Sequence, residues 1–137
     1  MVSNNQDKAV IEEFRQNGGK VGGRFNNAPV LLITTKGAKT GTIRTTPLMY
    51  LPDGKRVVIF ASRGGSPANP GWYHNLRAYP EITVEIGADR FRAIATEVTG
   101  EDRNTLYARQ SELYPQFGIY QQKTKRKIPV IVLEKKV

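Results

Sequence analysis

Two short, continuous apolar runs constrain the fold of this chain more than any other feature. Residues 30–33 and 57–61 are rich in β-branched side chains and too short to predict helices, so each predicts a strand buried on both faces. A glycine-rich loop that carries cations follows each run, at residues 36–42 and 63–67. Two core strands with similar loops at their ends are therefore expected.

The remaining elements follow from alternation and turn signals. Residues 44–51 predict a strand that Pro47 restricts to an edge or a bulge, because proline has no ladder N–H. Asp53-Gly54 predicts the hairpin after it, and three more strands are expected at residues 82–86, 91–98 and 128–133. Helices are expected before Gly18, at 72–78, from Thr99 to about 113, and at 117–123.

This pattern predicts a mainly β, α+β fold: a small, mostly antiparallel barrel of about six strands with helices packed outside. The 137 residues are enough for one domain with a sizeable core, and residues 1–28 form an N-terminal helix and a flexible glycine-rich connector. A parallel crossover through the short helix at 72–78 is the less favoured topology.

The composition excludes several classes of site. The chain has no cysteine and one histidine, so disulfides, thiolate chemistry and an ordinary zinc site are not expected. No apolar run reaches the roughly 20 residues of a membrane span and no secretory signal opens the chain, so a cytoplasmic location is expected. Peripheral membrane association through the N-terminal helix stays open, as does the choice between monomer and homodimer.

The positive charge is concentrated in two segments. Of the net +9, residues 29–80 contribute +6 and residues 115–137 contribute +5, with the rest negative on balance. An acidic partner is indicated, for example an elongated, phosphate-bearing cofactor lying across the two loops. A nucleic-acid-binding barrel is the competing class, but it needs aromatic residues on strand faces, and the strand interiors here are aliphatic.

The first loop, residues 37–41, is similar to a phosphate-binding P-loop but lacks its spacing and its following helix. We expect Gly37 and Gly41 to turn backbone N–H groups toward one point, with Lys39 and Arg44 adding positive charge. A solvated hairpin with ordinary surface cations is the alternative.

Aromatic residues form two further candidate sites. Trp72 follows the second loop and is interpreted as core or as a cofactor contact, while His74 alone indicates no catalysis. Tyr114, Phe117 and Tyr120 recur at helical spacing, which predicts a buried stripe or one wall of a ligand pocket.

Several ordered motifs together resemble one family, the deazaflavin-dependent nitroreductases of actinobacteria. The similarity lies in residues 30–35, in residues 37–41 with Arg44 and Pro47, in residues 61–65, in residues 69–76, and in the tail segments 114–117, 120–121 and 128–130. It covers about residue 14 to the C-terminus.

The resemblance implies a split β-barrel of the flavin-nucleotide-binding type that uses reduced coenzyme F-420, an 8-hydroxy-5-deazaflavin with a polyanionic tail. It implies hydride transfer to an electron-poor small acceptor: a quinone, a nitroaromatic or an activated enone. By motif, the phosphate and tail are expected at Ala38, Lys39, Thr40, Gly41 and Arg44. The deazaflavin is expected along Pro47, Ala61, Ser62, Arg63 and Gly64, with Trp72, Tyr73, His74 and Asn75 closing the other side. The acceptor is expected at Tyr114, Phe117, Tyr120 and Ser62, with Tyr120 and Ser62 as the catalytic candidates.

Two residues depart from the family pattern. Arg63 stands where lysine is more usual, and Phe117 stands where a tyrosine hydroxyl is found in the best-known nitroreductase. The missing hydroxyl argues against activation of nitroimidazole prodrugs and leaves quinone reduction open. The alternative within the same barrel type is a protein that binds FMN or haem.

Overall fold

The computed structural model describes residues 5–137, so residues 1–4 of the predicted N-terminal unit lie outside it. Within this range the chain forms seven strands: β1 (Val30–Lys36), β2 (Ile43–Met49), β3 (Leu51–Asp53), β4 (Arg56–Phe60), β5 (Glu81–Ile86), β6 (Asp89–Val98) and β7 (Val130–Lys135). Four α-helices accompany them: α1 (Asn5–Gln16), α2 (Gly71–Ala78), α3 (Gly100–Leu113) and α4 (Gln116–Lys123). Single 3-10 turns lie at Gly23–Phe25 and Arg63–Gly65. None of these helices is long and apolar enough to cross a membrane.

One antiparallel sheet runs in the order β2-β1-β5-β6-β7-β4-β3. Its two edge strands, β2 and β3, are joined in sequence by the single residue Tyr50, so the sheet has to curl until its edges meet. The predicted mainly antiparallel barrel is therefore confirmed. Pro47 lies on the edge strand β2, opposite Leu32 of β1, where its missing N–H leaves no gap in a central ladder.

The prediction of a single strand over residues 44–51 is wrong, because two strands, β2 and β3, cover this segment. The chain breaks at Tyr50, after which β3 leaves β1 and pairs with β4 instead. The amide of Tyr50 donates to the carbonyl of Pro29, 3.1 Å away, which anchors this corner. The alternation of side chains gives no sign of the change of partner, because both halves are extended.

Apolar residues of β1 are buried on both faces, as their continuous run predicts. Leu31 and Ile33 enter the barrel interior, where they pack in one cluster with Ile59 and Ile131. Val30 and Leu32 face the other way and pack beneath α1. A third cluster lies between the sheet and the helices α3 and α4.

The connector between α1 and β1 is packed against the body. Gly18 and Gly19 end α1 with positive φ, and an added Cβ on Gly19 would lie 2.7 Å from the Cα of Gly87. Val21 is buried, and Arg24 pairs with Asp7 of α1 at 2.9 Å. The connector that the sequence predicts to be flexible is thus packed beside α1, which lies on the outer face of β1.

Candidate functional site

A basic groove of about 470 Å³ opens beside the loop that joins β1 to β2. We call it the loop groove. It is lined by Gly37, Ala38, Lys39, Thr40, Thr42, Arg44, Gly71, His74 and Asn75. The structure thus brings four of the five residues predicted at the phosphate loop together with three from α2, of which His74 and Asn75 were predicted.

The loop itself is a closed turn. The amides of Gly37 and Gly41 donate to carbonyls within the loop, at 2.8 and 2.9 Å. The amides of these two glycines are therefore used within the loop, and an anion nest has to be formed by other N–H groups. Across the described chain, the amides of Lys39 and Thr40 have no hydrogen-bond acceptor, and they are the N–H groups left for a ligand.

Asn75 connects this loop to α2. Its side-chain oxygen accepts the amide of Ala38 at 3.0 Å, and its side-chain nitrogen donates to the hydroxyl of Thr35 at 3.3 Å. One amide side chain therefore holds the loop, β1 and α2 in a common frame. Asn75 therefore lines the loop groove and also fixes the position of the loop that carries Ala38.

A second groove, of about 600 Å³, opens at the end of β4. We call it the aromatic groove. Its lining includes Pro47, Ser62, Arg63, Gly64, Trp72, Phe117 and Tyr120, all expected from the sequence, together with Asp7, Arg24, Phe25, Thr46, Leu48, Met49, Phe60, Pro70 and Gln116.

The two grooves adjoin at the first residues of α2. Gly71 lines the loop groove, while its neighbours Pro70 and Trp72 line the aromatic groove. The N-terminus of a helix carries unpaired N–H groups and a partial positive charge, so it favours an anion. The junction therefore suits a molecule with a flat ring in one groove and a negatively charged chain in the other.

An aromatic stack forms one wall of the aromatic groove. Phe117 makes edge-to-face contacts with Phe60 and Tyr120, with ring centroids 5.7 and 5.3 Å apart. The hydroxyl of Tyr107 donates to the carbonyl of Phe117 at 2.6 Å, and burial raises the pKa of Tyr107 to about 12. Phe117 is thereby held in one position, and Tyr120 is the member of this wall with a hydroxyl.

The loop at the end of β4 has an unusual backbone. Arg63, Gly64 and Gly65 all have positive φ, at 46, 63 and 81°. This region disfavours residues with a Cβ, so Arg63 is held there by its surroundings. An added Cβ on Gly64 meets nothing within 4 Å, so this glycine borders open space beside the groove.

Four predicted site residues line neither groove. Ala61 is fully buried, and the ring of Tyr73 is in the barrel core with its hydroxyl bonded to Glu97. Burial, followed by that hydrogen bond, raises the pKa of Tyr73. Tyr114 packs against the cluster beneath α3, and Gly41 shapes the loop through its φ of 72°.

Sequence reasoning missed the residues that close the aromatic groove on the side of α1. Asp7, Arg24 and Phe25 reach it, with the guanidinium of Arg24 lying 4.8 Å from the ring centroid of Phe25. The four glycines and two cations of residues 18–24 were the available signal. These residues allow a segment that folds over a ligand, but the sequence favours a linker, because no pattern in the chain indicates a contact with β2 or α4.

Comparison with known proteins gives one consistent result. The family described as "F420H(2)-dependent quinone reductase" matches residues 7–135. An F420H(2)-dependent quinone reductase of Mycobacterium tuberculosis is 41% identical over 129 residues, covering 90% of this chain and 85% of that protein.

Solved structures agree with this result. The structure of an F420-H2 dependent reductase has a TM-score of 0.71 and 39% identity, covering 77% of this chain and 94% of its own. A chain described as a domain-swapped dimer has a TM-score of 0.73 and 36% identity, with 94% of each chain covered. The haem storage protein HutZ of Vibrio cholerae has a TM-score of 0.59 at 15% identity, which shows a shared fold alone.

Proposed function

This chain belongs to the F420H(2)-dependent quinone reductase family, and from that membership we propose that it transfers a hydride from reduced coenzyme F-420 to a small quinone. The observation that carries the proposal is the junction of a basic groove with an aromatic groove at the start of α2. The acceptor class follows the family description, and nitroaromatics and activated enones are further candidates.

The residues present fit the cofactor. Lys39, Arg44 and the two unpaired loop amides are donors suited to a phosphodiester and an oligoglutamate tail, because both are anionic. An added Cβ meets nothing within 4 Å at Gly64 or at Gly71, which leaves room for a flat ring to approach the backbone. We assign the tail to the loop groove and the ring to the aromatic groove.

Reduced F-420, when bound, supplies the hydride, and the protein supplies binding, orientation and a proton path. Trp72, Phe60 and Phe117 give the groove apolar surface against which a quinone can stack. A quinone that accepts a hydride also takes up one proton. We assign its delivery to the hydroxyl of Tyr120 or to water held by that hydroxyl and Ser62, because both residues line the groove.

The proposal is tested on protein purified from a host that makes no F-420. We expect it to be colourless, to quench the fluorescence of added F-420 on binding, and to reduce menadione with reduced F-420 as donor. Protein that retains yellow FMN, or that reduces menadione with FMN but not with F-420, would favour the FMN-binding alternative. Retained haem would favour the haem-binding one.

The location of the protein in the cell and its oligomeric state are separate proposals. The apolar side of α1, with Ile11 and Phe14, is used in packing against the sheet, so any contact of α1 with a membrane surface has to use its exposed polar side. Co-sedimentation with anionic vesicles tests this peripheral association, and its absence leaves the cytoplasmic assignment. Light scattering after size exclusion separates monomer from homodimer.

A further inference from the structure

Arg126 makes the largest set of hydrogen bonds around the aromatic groove, although it lines neither groove. Its guanidinium donates to the carbonyls of Ala61, Ser62 and Ser66 at 3.0, 2.8 and 2.9 Å, and to the side-chain oxygen of Asn69 at 2.7 Å. Among the described residues, all its acceptors are carbonyl or amide oxygens and none is a carboxylate. Arg126 therefore acts as a hydrogen-bond donor to neutral oxygens and not as one member of an ion pair.

Arg126 binds the loop of residues 61–66, which borders the aromatic groove. Five of its six carbonyls, from residue 61 to residue 66, have a partner: three bind Arg126, that of Arg63 accepts the amide of Ser66, and that of Gly64 accepts the ammonium of Lys123. Arg63 would otherwise avoid its positive φ. These bonds therefore select the strained conformation of the loop.

The same bonds orient two N–H groups. In a trans peptide the carbonyl of one residue and the amide of the next point in opposite directions, and the described chain has no cis peptide. Because the carbonyls of Ala61 and Ser62 point to Arg126, the amides of Ser62 and Arg63 point away from it. Both residues line the aromatic groove, and neither amide donates a hydrogen bond elsewhere in residues 5–137.

We propose that Arg126 is a positioning residue: by holding these carbonyls it directs the amides of Ser62 and Arg63, as a pair of donors, toward a ligand in the aromatic groove. The inference rests on the proposed function and goes beyond it, since Arg126 acts only through the loop. An electron-rich atom of the bound ring or of the acceptor is the chemistry that such a donor pair recognises.

Arg103 provides a matched control. It is a buried arginine, whereas Arg126 is half-buried, and like Arg126 it donates to a backbone carbonyl and to a side-chain amide oxygen, those of Ile128 and Gln121, at 2.8 and 2.6 Å. Its guanidinium makes no hydrogen bond to residues 61–66. Loss of either guanidinium should lower stability, but Arg126 should have the larger effect on the groove, because Arg103 reaches it only through Gln121, whose side-chain nitrogen donates to the carbonyl of Arg126 at 2.8 Å.

The test compares Arg126→Lys and Arg103→Lys with wild type by melting temperature, by the visible absorption of bound F-420, and by kcat and KM for menadione. Lysine keeps the charge but cannot hold three carbonyls at once. We expect Arg126→Lys to change the bound spectrum and to lower kcat on the order of 10- to 100-fold, because misplacement of about 1 Å has such effects. Arg103→Lys should lower the melting temperature with a much smaller change in kcat and in the spectrum.

Equal behaviour of the two variants, with stability lost but kcat and spectrum unchanged, overturns the positioning role. If Arg126→Lys does not fold, Asn69→Ala replaces it, because the side-chain oxygen of Asn69 accepts from the guanidinium of Arg126 at 2.7 Å and Asn69 lines neither groove. A several-fold lower kcat then supports the inference, and wild-type kinetics overturn it. Wild-type protein that neither binds F-420 nor reduces menadione overturns the proposed function, and this inference with it.

Discussion

Gly65 and Tyr120 touch through their backbones. A Cβ built on Gly65 would lie 2.7 Å from the carbonyl oxygen of Tyr120 and 3.0 Å from its Cα. The loop at the end of β4 and the helix that carries Tyr120 therefore behave as one body, which the bond from Lys123 to the carbonyl of Gly64 strengthens. The residues expected at the ring of the cofactor and those expected at the acceptor thus share a rigid support.

Gly65→Ala should lower the free energy of unfolding by more than the cost of its backbone conformation. A residue with a Cβ at positive φ costs about 1–2 kcal/mol, and overpacking against an unyielding backbone adds about 1–3 kcal/mol. Gly54→Ala is the control, since Gly54 also has positive φ but borders open space. Urea unfolding of both apo proteins measures the difference, and equal losses would show that the contact with Tyr120 relaxes freely.

Lys39→Ala should weaken F-420 binding roughly tenfold or more, because it removes a charge-assisted contact with an anionic tail. Arg44→Ala should act in the same direction. Lys55→Ala removes the same charge from an exposed hairpin outside both grooves and should leave the dissociation constant nearly unchanged. Fluorescence titration measures all three, and added salt should weaken the wild type more than Lys39→Ala. Wild-type affinity in the Lys39 and Arg44 variants would contradict the loop-groove assignment.

Tyr120→Phe should slow menadione reduction while leaving the affinity for F-420 unchanged. A lost hydrogen bond, worth about 1 kcal/mol, predicts a several-fold lower kcat, and loss of the only proton donor predicts 10²-fold or more. We expect the smaller effect, because the groove is open and water can deliver the proton. Tyr114→Phe is the control, since Tyr114 lines neither groove. Full turnover in Tyr120→Phe would mean that this ring only packs.

Stability should fall between about pH 10 and pH 12 because of Tyr107. Burial raises its pKa from 10.0 to about 12, so in this window the folded chain keeps a proton that the unfolded chain has lost. Rising pH therefore favours unfolding, by up to roughly 3 kcal/mol for a shift of two pKa units. Urea unfolding at pH 9.5 and 11.5 should show the stability advantage of wild type over Tyr107→Phe shrinking. A constant difference would contradict the shift.

The sequence predicted a structural feature correctly wherever that feature depends only on residues close together in the chain. The apolar runs at β1 and β4 predict strands buried on both faces because burial on two sides needs no polar residue in between. Pro47 predicts an edge strand because proline has no backbone N–H to donate to a neighbouring strand, whatever the rest of the fold. The glycine-rich loops, their cations and the family motifs placed thirteen of the predicted site residues on the two grooves.

The sequence alone therefore determined the strand content, the glycine loops with their charge, and the resemblance that names a cofactor. Only the tertiary structure decided that the strand over residues 44–51 breaks at Tyr50, that Asp7 and Phe25 reach the aromatic groove, and that Arg126 holds a loop sixty residues away. These outcomes depend on how the sheet curls and on which carbonyl oxygens lie within hydrogen-bond distance of the guanidinium of Arg126 in the folded chain. Such contacts join residues far apart in the chain, and the spacing of residues within a segment carries no information about them.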